Sequence, residues 1–79
     1  MATVRKFEYT NLNSTRKHTE VDATIGVVEI DGEFFLQINT FGSSSREMPG
    51  KLSQTLRLSK SAYLELVDMG KPFFNAQTH

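Results

Sequence analysis

Asp31-Gly32 stands between two β-rich runs, "ATIGVVEI" and "EFFLQINTF". An Asp-Gly pair so placed is a strong signal for a type I′ hairpin, because both central residues of that turn need positive φ. The spacing predicts a strand over residues 20–30 and a second over 33–41. A two-residue turn also sets the register. Ile30 is expected opposite Glu33, Val28 opposite Phe35, Gly26 opposite Gln37, and Thr24 opposite Asn39.

After the hairpin, "GSSSREMPG" is too long for a tight turn and rich in turn formers. "LSQTLRL", residues 52–58, then alternates as a third strand, with Leu52, Gln54, Leu56 and Leu58 on one side. Ser59 is placed to cap a helix through the free amides of its first turn. Ala62, Leu66 and Met69 form the apolar stripe of that helix, with Tyr63 and Val67 beside it. Gly70 and Pro72 are expected to end it. "VRKFEYT" alternates enough to supply a fourth strand. The fold class expected is therefore α+β: an antiparallel sheet of three or four strands backed by one C-terminal helix. Residues 1–79 read as a single small domain with its core at about 18–70. Residues 1–17 form a strand or arm, and the 71–79 tail is expected to fray.

Side chains on a strand alternate between faces. Ala23, Ile25, Val27, Phe34, Leu36 and Ile38 share one face, nearly pure hydrocarbon, which is expected to be the core beneath the helix. The other face carries Thr24, Gly26, Val28, Phe35, Gln37, Asn39 and Phe41, joined by Thr55 and Arg57. Aromatics interleaved with amides and a guanidinium suit a surface that stacks flat groups and hydrogen-bonds their edges. Single-stranded DNA or RNA is such a ligand, and base–aromatic stacking is worth ~1–3 kcal/mol per base. In that reading Phe35 and Phe41 stack bases, and Gln37 and Asn39 read their edges. Arg46, Lys51 and Arg57 meet phosphates. The same face could instead be buried between two copies.

With 79 residues and no cysteine, the chain has neither a large core nor a disulfide to steady it, so a homodimer is expected from size. No run approaches the ~18 apolar residues of a membrane span, and the start lacks the apolar stretch of a signal peptide. A cytoplasmic protein without membrane attachment is the expectation. Nine basic and nine acidic residues cancel. Neutrality argues against strong non-specific nucleic-acid binding, which depends on cations displacing counterions. The charges are unevenly spread, however. Between Ser43 and Lys60, Arg46, Lys51, Arg57 and Lys60 face Glu47 alone.

His18, Glu20 and Asp22 would share one side of a strand and form a weak metal-ligand candidate. Nothing else suggests a metal or cofactor. There is no phosphate loop and no nucleophile elbow, and the serines of "GSSS" are turn formers. No catalytic residue is assigned, and an enzyme is not expected.

Two resemblances bear on this reading. His18 to Val21, Gln37 to Gly42, Arg46, Pro49 to Lys51 and Ser53-Gln54 resemble a pattern shared by a family of short uncharacterised bacterial proteins. It spans most of residues 18–69; this chain has Asn39 where that pattern carries Asp, and Arg57 where Gln is common. The order of strands, basic turn, "PGK" and "LRLS" strand, and C-terminal helix is similar to the PC4-like transcriptional coactivators. Arg46, Pro49, Gly50, Lys51, Leu56, Leu58, Ser59 and the helix to Met69 carry that similarity. It implies a small dimeric sheet-plus-helix domain that binds single-stranded DNA. The alternative is a protein-interaction module, a small regulator or inhibitor, using the same face or a sheet edge.

Overall fold

The computed structural model describes residues 1–42 and 52–77. It contains β1 (Ala2–Val4), β2 (Ala23–Ile30), β3 (Glu33–Phe41), β4 (Leu52–Leu58) and α1 (Lys60–Gln77). The four strands form one sheet in the order β1-β4-β3-β2. An α+β architecture with a C-terminal helix is what the sequence implied.

The hairpin is as read from Asp31-Gly32. Asp31 has φ 52° and Gly32 has φ 80°, the left-handed pair of a type I′ turn. Ile30 faces Glu33, Val28 faces Phe35, Gly26 faces Gln37, and Thr24 faces Asn39. β2 begins at Ala23, three residues later than expected. One backbone bond continues the pairing past it, from the Phe41 N–H to the Asp22 carbonyl at 3.3 Å.

β4 runs antiparallel to β3, with Arg57 opposite Gln37 and Thr55 opposite Asn39. The alternation expected of β4 breaks near its start. Thr40 pairs with Gln54 but Phe41 pairs with Leu52, so Ser53 is an extra residue and the strand bulges there. Leu52 thus lies beside Phe41 instead of continuing the row of Gln54, Leu56 and Leu58.

The fourth strand is real but differs from the one expected. It covers Ala2–Val4, lies parallel to β4, and sets Thr3 opposite Arg57. Residues 5–22 carry no regular secondary structure.

Ser59 caps α1 as predicted: its Oγ accepts from the Ala62 N–H at 3.2 Å. The helix end needs correction. α1 continues through Gly70 and Pro72 to Gln77, where a stop at Gly70 was expected. Pro72 cannot donate to the carbonyl one turn back, so the helix crosses that point one hydrogen bond short.

The cover over the sheet also differs. The buried apolar residues among those described are Phe35 at 7% exposure, Leu58 at 1% and Ala62 at 0%. Ile25, Val27 and Phe34, expected under the helix, are 65%, 67% and 61% exposed. α1 touches β3 and β4, and its burial is concentrated in the first turn. A single residue, Ser59, separates the end of β4 from the start of α1, so the first turn of the helix packs at the end of the sheet.

Candidate functional site

Alternation along β3 and β4, with the cross-strand register, lines up Gln37, Asn39, Thr55 and Arg57 on one face. Their side chains bond to one another. The Arg57 Nε–H donates to Gln37 Oε1 at 2.7 Å, and the Gln37 amide donates to Asn39 Oδ1 at 3.1 Å. The Thr55 hydroxyl donates to the same Asn39 oxygen at 3.0 Å. The row is half-buried, where a chain of satisfied polar groups holds its members in fixed rotamers. Arg57 spends one of its five N–H groups on Gln37. Beside it, Met1, Ala2, Thr3, Thr55 and Arg57 line a depression of about 260 Å³.

Phe35 belongs to this face but is not an open platform. Arg5 lies over its ring, with the guanidinium carbon 5.3 Å from the ring centre. Arg5 also bonds Glu33 through both terminal nitrogens, at 2.8 and 3.1 Å. This contact raises the Arg5 pKa and lowers that of the Glu33 carboxyl, chiefly through the hydrogen bond between them. A flat ligand could reach the Phe35 ring only by displacing Arg5. Sequence reasoning missed Arg5, because β1 delivers it from the far end of the chain and leaves no local signature.

Three further bonds tie the end of β1 and the residues just after it to the start of α1. The Ser59 N–H donates to the Val4 carbonyl at 3.1 Å. The Ser61 hydroxyl donates to the Arg5 carbonyl at 3.2 Å. The Phe7 N–H donates to Glu65 Oε1 at 2.7 Å.

No protein-family model, curated protein or solved structure matches this chain.

Phe41 is half-buried at the opposite end of β3 from the hairpin. It lines a second cleft, of about 510 Å³, with His18, Thr19, Val21, Thr40, Gly42, Ser53 and Gln54. Phe35 and Phe41 thus mark the two ends of the polar row, with Gln37 and Asn39 between them. Arg46 and Lys51, the expected rim, lie outside the described residues, as do Pro49 and Gly50.

The metal candidate finds no geometry. His18, Glu20 and Asp22 all precede β2 and are exposed, so strand alternation does not set them on one side. Among the described residues no group of three His, Asp or Glu side chains is placed to hold a cation. No helix there is long and apolar enough to cross a membrane.

Proposed function

We propose that the face carrying Gln37, Asn39, Thr55 and Arg57 binds single-stranded DNA or RNA, and that the chain acts as a homodimer in the cytoplasm. The observation that carries this reading is the ordered polar row with an aromatic at each end. Amides held at fixed spacing offer donors and acceptors to base edges, and Arg57 offers a cation to the backbone. Phe41 is the half-open stacking surface, and Phe35 becomes a second one when Arg5 swings from its ring to a phosphate. Arg46 and Lys51 extend the basic side in sequence. The similarity to PC4-like coactivators points the same way.

Titration of a labelled single-stranded oligonucleotide at low and moderate salt, followed by anisotropy, tests this. Saturable binding that weakens steeply with salt is expected, and a duplex of equal length should bind less tightly. Absence of binding at ~100 μM protein, where non-specific contacts ordinarily register, removes the proposal.

One observation favours the alternative, a protein-interaction module. Among the described residues β2 is an eight-residue edge strand with a neighbour on one side only. Such an edge can accept an added strand from a partner peptide. That mode predicts salt-tolerant binding indifferent to Arg57.

A further inference from the structure

Arg5 and Arg57 present guanidiniums on the same face of the sheet, and only one of them meets an anion. Arg5 grips both carboxylate oxygens of Glu33 end-on, through its two terminal nitrogens. Arg57 is also oriented, because its Nε–H donates to Gln37 Oε1 at 2.7 Å, but a neutral amide balances no charge. Among the described residues the terminal nitrogens of Arg57 have no hydrogen-bond partner, and no carboxylate stands within ion-pair distance of them. Arg57 is half-buried, and charged groups drawn out of water are ordinarily paired. It is a held cation whose counter-charge the described chain does not supply.

Thr3, Arg57 and Gln37 stand in one row across β1, β4 and β3. Gln37 holds the guanidinium from one flank. Toward the other lies the depression of about 260 Å³ lined by Met1, Ala2, Thr3, Thr55 and Arg57, with no acidic side chain among them. Pockets that enclose a whole small ligand run about 300–1,000 Å³, so this one suits a single chemical group. With its Nε–H committed, Arg57 offers its end-on pair, which takes two oxygens in parallel. The Thr3 hydroxyl makes no bond among the described residues and can donate to a third oxygen. The Thr55 hydroxyl adds no donor, since its proton goes to Asn39 Oδ1 at 3.0 Å.

We infer that this depression binds a phosphomonoester, with two of its oxygens on the terminal nitrogens of Arg57 and the third on the Thr3 hydroxyl. Using all of these donors takes three acceptor oxygens in one group. A carboxylate has two, and an internal phosphodiester has two that are not esterified, whereas a phosphomonoester has three. The inference deepens the strand-binding reading, on which it rests for the molecule that carries the phosphate: a strand end, not an internal linkage, fills the depression. Its test uses phosphate alone, so the two readings fail separately.

Inorganic phosphate, exchanged for chloride at constant ionic strength, should move the Arg57 Nε–H and Thr3 amide signals in nitrogen–proton NMR spectra along a saturable curve. The midpoint is expected in the low millimolar range, as a ligand of so few atoms allows. Arg57→Gln should abolish saturation at the Thr3 amide. Thr3→Val, which keeps a residue suited to a strand, should weaken phosphate binding about tenfold, the effect of one hydrogen bond to a charged group. Dimethyl phosphate should bind less tightly than inorganic phosphate and be indifferent to Thr3→Val. A linear, unsaturable response to phosphate overturns the inference even where an oligonucleotide binds. Phosphate binding unchanged in Thr3→Val, or dimethyl phosphate binding as tightly as phosphate, overturns it too. Saturable phosphate binding that depends on Arg57 and Thr3 supports the site, and does so even where an oligonucleotide fails to bind and the strand reading falls.

Discussion

Arg5 sits over the ring of Phe35, 5.3 Å from its centre, while its terminal nitrogens hold both carboxylate oxygens of Glu33. Three residues from two distant parts of the chain are thereby fixed at one end of the sheet. An aromatic that reads as a ligand platform is, in the folded chain, half of a cation–π contact. Arg5→Ala should therefore lower the melting temperature and increase the reactivity of the Phe35 surface toward apolar dyes. An unchanged melting curve would mean that the contact contributes nothing to the fold.

The Arg5–Glu33 pair sets a pH dependence. Glu33 titrates below its ordinary value in the folded chain because Arg5 donates to it. Its stabilisation is present above the ordinary carboxylate range and is lost as pH falls through the lowered folded pKa. Melting curves of the parent and of Glu33→Gln should differ at neutral pH and converge in acid. A gap that widens on acidification would contradict this assignment.

Leu58 and Ile25 sit on the same side of the sheet but in opposite environments. Leu58→Ala removes a side chain that is 1% exposed and should cost about 2–5 kcal/mol. Ile25→Ala, at a position 65% exposed, should cost less than about 1 kcal/mol, as expected for surface changes away from a packed core. Urea unfolding of the two variants distinguishes these values.

Two local devices predict smaller losses. Ser59→Ala deletes the acceptor for the Ala62 N–H and should cost about 1 kcal/mol, whereas Ser59→Thr should retain most of the cap. Gly32→Ala places a side chain at φ 80° and should cost about 1–2 kcal/mol. Thermal melts followed by circular dichroism measure both.

Arg57→Ala is the sharpest test of the polar row as a binding surface. Loss of one phosphate contact should weaken single-strand affinity several-fold and reduce the salt slope by about 0.7. Lys60→Ala, a cation outside that row, should leave the slope nearly unchanged.

The parts of the fold legible in the sequence are those governed by neighbours. The Asp31-Gly32 turn has two residues, so every pairing of β2 with β3 follows from it. The same alternation put Gln37, Asn39 and Arg57 on one face. Features set by distant contacts were not legible. β1 is a three-residue parallel strand whose partners lie near the other end of the chain, so nothing beside it announces the pairing or the arrival of Arg5. The bulge at Ser53 follows a loop whose length does not determine register. Gly70 and Pro72 carry true stop signals, and α1 runs through both. The hydrocarbon of Ile25, Val27 and Phe34 suggested an interior, but α1 packs by its first turn against β3 and β4 and leaves them exposed. Phe35, on the face assigned to a ligand, is the aromatic that is buried.

The Ser59 N–H to Val4 bond has a consequence for the order of folding. The hairpin and β4 can assemble from neighbouring segments, whereas β1 must wait for almost the whole chain to exist. Its arrival satisfies the amide of the capping residue Ser59 and, through Arg5 and Phe7, places two more bonds on the first two turns of α1. The last strand to dock and the first turn of the helix thus form one late cooperative event. Clipping the chain ahead of Lys6 would remove the Val4 and Arg5 bonds and leave only the one from Phe7, so hydrogen exchange at the start of α1 should quicken although the cut lies far away in sequence.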